Sequence, residues 1–341
     1  MNDPVTALVR ETMADASWLA HRYDPGHDAV HFVAAPREQR RAVPFLTDEN
    51  LPEAARPRVL RRLDVAQAPA GSVHFIFHSA YCCSTLLAAC FDLPGKSLAL
   101  KEPQFLNDMV GWRQRGAPQQ QMAQVLDEGL ALLARPFTPG EAAVIKPSNI
   151  VNGLAQPLLA IRPGSRAILL HAPVRAFLTS IARKGLWGRL WVRELFMAQL
   201  ADGLVADLGI DDTQWLRQSD LQIAAIGWLA QQRLFHRLLE RWPERLRSLD
   251  SEVLVARPAE AMRAAGQLYG LTLDEAAIAA SIAENFARDT KTGDAFAAGQ
   301  READRKAGEA AHADEIDKVT AWIEAVAQAN GLAMNLPNAL I

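Results

Sequence analysis

Cysteine is scarce in this chain, with three residues in 341, at Cys82, Cys83 and Cys90. So small and clustered a set cannot frame a disulfide-stapled fold, and it points to a reducing compartment. A charge excess of one sign is missing too. Lys and Arg number 36 against 39 Asp and Glu, for a net charge of −3, which gives no electrostatic reason to bind nucleic acid or an anionic membrane. No uninterrupted apolar run approaches the roughly 20 residues of a membrane span. The opening stretch MNDPVTALVRETMADASWLAHRYD is acidic and broken by polar residues, unlike a secretory leader. The expectation is a soluble, cytoplasmic protein with neither nucleic-acid nor membrane partner. Internal repeats and low-complexity tracts are lacking as well.

What is present is ordinary globular composition, half hydrophobic and 22% charged, in a chain long enough for one large α/β domain or two small ones. Residues 1–70 read as an N-terminal region packed on the core. A helix is expected over 4–20, an extended stretch at 29–35 (AVHFVAA) and a basic helix near 52–64. QAPAGS at 67–72 then reads as a hinge, because Pro and Gly break the pattern. From residue 71 to 341 the pattern becomes strand alternating with helix. The strands are SVHFIFHSA (72–80), SLALKEP (97–103), AAVIKPSN (142–149) and SRAILLHAP (165–173), with LRSLDSEVLV (246–255) a short strand or turn. The helices fall at 81–92, 118–134, about 174–206, 219–242 and 258–270. This alternation predicts an α/β fold with a mostly parallel sheet flanked by helices.

Ligands of such sheets bind beyond the C-terminal strand ends, and the chemistry-bearing residues collect there, at 78–85, 101–102, 146–149 and 171–173. After 72–80 the strand turns directly into a helix. Unpaired N–H groups at the helix start, with the hydroxyls of Ser84 and Thr85, form an anion site; an ordinary βα turn with small residues is the other reading. The turn lacks GxxxxGK[ST] altogether, so it is no Walker A loop. Lys146 ends the third strand, and a fixed ammonium there would stabilise charge developing on a transferring group. Alternatively it is a solvated surface lysine.

The stretch FIFHSAYCCSTLLAA (75–89) resembles the 5′-phosphosulfate loop of the sulfotransferase family, whose usual form is a basic residue, then Ser-Gly-Thr-Thr and a helix. Tyr81 stands at the basic position, Cys82 and Cys83 at Ser and Gly, and Ser84 and Thr85 match the paired Thr. Residues 142–185 extend the likeness. Lys146-Pro147-Ser148, the turn Arg162-Pro163-Gly164 and Pro173 keep the order of the bacterial members' Lys-Thr-Pro strand end and Arg-Asp-Pro helix start. Thr179 lies six residues beyond Pro173, with Ser180 next, and His171 occupies the place of the 3′-phosphate-binding Arg. The departures are Tyr81, Cys83 and His171.

The resemblance implies a P-loop-like sulfotransferase fold over roughly 72–330. It also implies transfer of a sulfuryl group from 3′-phosphoadenosine 5′-phosphosulfate, without a metal, to a hydroxyl or amine of a small-molecule or peptide acceptor. Glu102 is then the general base, and Lys146 steadies the leaving phosphate oxygen. Tyr81, Cys82, Cys83, Ser84 and Thr85 line the 5′-phosphosulfate. His171, Thr179 and Ser180 take the 3′-phosphate, with Arg183 supplying positive charge. FARDTKTGDAF (286–296) is similar to a loop closing over the nucleotide, with Lys291 as a contact. Two alternatives stand beside this reading: a non-catalytic nucleotide-binding or interaction module on the same fold, and a P-loop kinase or NTPase.

Overall fold

A computed structural model describes residues 4–51, 56–66, 71–206, 208–210, 212–286 and 298–341. Side chains of 212 and 298–310 are outside that description. The chain forms two compact units. The first takes the described residues of 1–77, 85–167 and 262–294, the second those of 78–84, 168–261 and 295–341.

The N-terminal part of the first unit begins with α1 (Pro4–Ala14), then β1 (Trp18–Asp24), β2 (Ala29–Ala34), α2 (Arg37–Ala42), β3 (Arg58–Arg61) and α3 (Arg62–Val65). The helix expected over 4–20 therefore stops at Ala14. Beyond it Leu19, Ala20 and Tyr23 are buried on a strand that pairs antiparallel with β2. Apolar spacing alone fits either period there, and the partner strand decides. The basic segment near 52–64 also differs from expectation, since residues 58–61 pair with β2 in the register Phe32↔Arg58 to Ala29↔Arg61. Its arginines find specific partners. Arg58 lies 3.8 Å over the Trp18 ring, and Arg62 bonds both Asp28 and Glu128.

The larger sheet is built from β4 (Val73–His78), β5 (Ser97–Lys101), β6 (Ala142–Lys146), β7 (Ala167–His171) and β8 (Leu246–Asp250). Their order is β5-β6-β4-β7-β8. β6 pairs in parallel with both β4 and β5. On the other side of β4, Phe75 N–H donates to Arg166 O and Ser79 N–H to Leu170 O, an equal advance of four residues on each chain that marks a parallel pair. The four strands β4 to β7 are buried at every position, as expected of a sheet covered on both faces. The observed fold is thus the mostly parallel α/β sheet that the alternation implied.

The covering helices are α4 (Ser84–Cys90), α5 (Gln104–Gln114), α6 (Gln119–Leu133), α7 (Ala155–Ile161), α8 (Val174–Arg183), α9 (Gly185–Ala201), α10 (Asp220–Arg241), α11 (Ser251–Ala256), α12 (Pro258–Tyr269), α13 (Glu275–Asn285) and α14 (Ala298–Ala329). The single helix expected over 174–206 is two, because Gly185 takes φ +57°, a left-handed value that suits glycine. α10 starts at a capping box, with Ser219 and Gln222 satisfying each other's backbone N–H. Gly129 on α6 admits the ring of Phe105 from α5: a Cβ there would lie 2.2 Å from Phe105 Cε1. That close approach fixes the helix that begins two residues after Glu102.

Candidate functional site

In the first unit the C-terminal ends of β5 and β6 carry the key side chains. The ladder places Lys101 opposite Lys146, and the next residue, Glu102, donates its N–H to Lys146 O at 2.6 Å. Glu102 adopts φ +52°, although it is neither Gly nor Asn and precedes a proline, which restricts it further. Such a conformation costs about 1–3 kcal/mol and persists only where the surroundings impose it. Its carboxylate pairs with the Lys146 ammonium. The lysine side chain is 1% exposed and the glutamate 18%, and Lys146 Nζ also stands 5.0 Å over the Phe45 ring. Lys146 is therefore a buried, paired cation and not a solvated strand-end lysine.

Lys101, placed by the sequence at the same strand end but given no role there, is buried too. Its Nζ donates to Arg41 O at 3.0 Å and Val43 O at 2.5 Å. Burial lowers its pKa to about 8; Asp92 opposes that shift, while Lys146 and Arg41 add to it. Its sequence signal was its place at a strand end, beside Glu102. Two residues past Lys146, Ser148 Oγ donates to Asn107 Oδ1 at 2.6 Å, tying the β6 end to the second turn of α5. Thr85 is buried in the first turn of α4.

The second unit holds the turn after β4 and the end of β7. Of the four residues between Ser79 and Ser84, three are left-handed: Ala80 (φ +69°), Tyr81 (φ +50°) and Cys83 (φ +63°). None is glycine, so the turn is strained at three points. Successive peptide N–H groups in left-handed turns form anion-binding concavities. The turn is anchored to β7: Cys82 Sγ donates to Leu170 O at 3.5 Å, and Ala172 N–H donates to Ser79 Oγ at 3.2 Å. Ala80 N–H donates to His78 Nδ1. Cys83 thus holds a left-handed backbone that glycine adopts without strain.

Tyr81 packs edge-on to Trp191, with ring centroids 5.3 Å apart, and against Phe177. Burial raises its pKa to about 12, so the phenol is uncharged at neutral pH. His171 is buried at the end of β7, and its Nδ1 has no hydrogen-bond partner. Burial lowers its pKa below 6.5, against the attraction of Asp250, so near pH 7 it is a neutral imidazole. The adjoining Ala172 O accepts from Trp228 Nε1 at 2.9 Å.

Thr179 and Ser180 donate their hydroxyls to Arg175 O and Ala176 O, one turn back on α8. Arg183 is exposed at the end of that helix. The basic run that follows has few acids nearby in sequence, but the fold supplies them. Arg175 pairs with Asp317, Arg189 with Glu315 and Asp220, and Arg193 with Asp220. Lys291 lies outside the described residues. Among those described, no three His, Cys, Asp or Glu side chains gather as a metal site would need, and no helix is long and apolar enough to cross a membrane.

No family model matches the chain, and no curated protein matches it in sequence. Solved structures do. It is similar to sulfotransferase STF1 from Mycobacterium tuberculosis H37Rv, with 13% identity over 65% of this chain and 73% of that one and a TM-score of 0.42. It is likewise similar to sulfotransferase STF9 from Mycobacterium avium, with 14% identity, coverage of 75% and 79%, and a TM-score of 0.42.

Proposed function

We propose that the chain is a sulfotransferase-like enzyme that moves a sulfuryl group from 3′-phosphoadenosine 5′-phosphosulfate to a hydroxyl or amine. The observation that carries this reading is the ion pair of Lys146 and strained Glu102 at adjacent parallel strand ends. A carboxylate held there can accept the proton of an attacking hydroxyl. The acceptor oxygen bonds to sulfur as the sulfur–oxygen bond to the 5′-phosphate breaks, and Lys146 neutralises charge growing on that leaving oxygen. In the reading, the N–H groups of 82–85 take the 5′-phosphosulfate. His171, Thr179 and Ser180 serve the 3′-phosphate, with Arg183 adding charge.

Thermal unfolding with 3′,5′-adenosine bisphosphate tests the donor site. A ligand at one hundred times its Kd stabilises by about 2.7 kcal/mol, so the midpoint should rise. No rise at millimolar bisphosphate would sink the reading.

A second reading, a binding module without transfer, is favoured by the half-buried aromatic Tyr81 where the resemblance expects a cation. Bisphosphate binding with no consumption of labelled donor, across hydroxyl and amine acceptors, would select it.

A further inference from the structure

A cleft of about 430 Å³ lies in the first unit, between the β1–β2 hairpin and α5. Its polar lining comprises Arg22, Asp24, His31, Asn107, Asp108 and Arg115. Large aliphatic side chains do not line it, and its one aromatic, Tyr23, is buried with its hydroxyl bonded to Asp28. The cleft therefore offers little to an apolar acceptor, whose binding energy comes from buried apolar area.

The hydrogen-bond inventory says what the cleft can read. Its acids are engaged. Asp108 accepts from Arg22 Nε at 2.8 Å, Tyr23 N–H at 3.0 Å and Gln104 Nε2 at 3.3 Å. Asp24 is bonded to Gly26 N–H at 2.8 Å and to His27 Nδ1 at 2.6 Å. Arg22 is held by Asp108 and Asp48. The unused capacity is mostly of donors: among the described residues the Arg115 guanidinium, the His31 ring and Asn107 Nδ2 make no hydrogen bond. A guanidinium left exposed in a polar cleft matches a carboxylate, which it can grip through two parallel bonds. Asn107, by its Oδ1, is one hydrogen bond from Ser148, two residues from Lys146.

We infer that this cleft binds an organic anion rich in hydroxyls, of the sugar-acid class, with its carboxylate on Arg115 and its hydroxyls on His31 and Asn107. Naming that ligand the acceptor rests on the proposed transfer activity; the binding does not. The test is calorimetric titration of the full chain with glucuronate, glucose and acetate at constant ionic strength. Glucuronate should bind saturably, with glucose and acetate each at least tenfold weaker. Losing a charge-assisted bond should make Arg115→Ala weaker by about tenfold or more, and His31→Gln should weaken binding by a smaller factor. Lys318→Ala, which removes an exposed cation on α14, should leave the affinity unchanged. Acetate binding as well as glucuronate, no saturation with glucuronate, or an Arg115→Ala variant with unaltered affinity would each overturn the inference. Glucuronate binding without any effect of 3′,5′-adenosine bisphosphate would sink the sulfotransferase reading alone. The reverse pattern would sink the cleft alone.

Discussion

Replacing His74 should remove a defined part of the protein's acid sensitivity. The ring lies on the central strand β4, stacked on Tyr269 with centroids 4.9 Å apart, and its Nδ1 accepts the Arg166 N–H at 3.3 Å. Protonation would abolish that acceptor and bury a charge beside Arg166. Burial, with the Arg166 charge second, accordingly lowers the pKa from 6.5 to about 4. Between those values the unfolded chain binds a proton that the native protein refuses. Stability is therefore intact above pH 6.5 and falls as pH drops toward 4. One pKa unit is worth about 1.4 kcal/mol, so the whole effect is about 3 kcal/mol, of which roughly 2.5 is lost by pH 4.5. Urea unfolding at pH 7.5 and pH 4.5 measures it. His74→Phe keeps a ring for the stack and removes the titration. It starts lower at pH 7.5 by about 1–2 kcal/mol for the orphaned N–H, but loses about 2.5 kcal/mol less on acidification. Equal losses in the two proteins would refute the reasoning.

The Lys146–Glu102 pair should show strong coupling. Lys146→Ala alone should cost about 3–5 kcal/mol by leaving a carboxylate unpaired in a largely buried site. With Glu102→Ala added, the loss should fall short of the sum by over 1 kcal/mol in a double-mutant cycle read by urea unfolding, and additivity within about 0.5 kcal/mol would mean the pair does not interact. Gly129→Ala should destabilise the protein by about 1–3 kcal/mol, because the new methyl meets the Phe105 ring. Gly129→Ala combined with Phe105→Leu should recover part of that loss, and no recovery would argue against the contact.

Much of the larger sheet was legible because burial on both faces leaves a sequence trace. VHFIFH, SLALK, AAVIK and AILLH are short apolar runs ended by polar or ionisable groups, and each became a fully buried strand. The N-terminal part was less legible. Trp18–Asp24 and Arg58–Arg61 are strands only because β2 offers them a ladder, the first across a short turn and the second from far along the chain, and the periodicity of one segment does not reveal its partner. The acids that pair with Arg175, Arg189 and Arg193 were illegible for the same reason, since they come from 220, 315 and 317.

For the candidate site, the sequence alone determined which residue types stand at the strand ends: Glu102, Lys146, His171 and the turn 80–85. Strand ends are local events, set by where an apolar run stops. Only the tertiary structure decided their condition. It buried Lys146 against Glu102, left His171 Nδ1 without a partner, and turned Ala80, Tyr81, Cys83 and Glu102 left-handed without glycine. Pairing, desolvation and imposed backbone strain arise from neighbours distant in the chain, so no reading of consecutive residues could have supplied them.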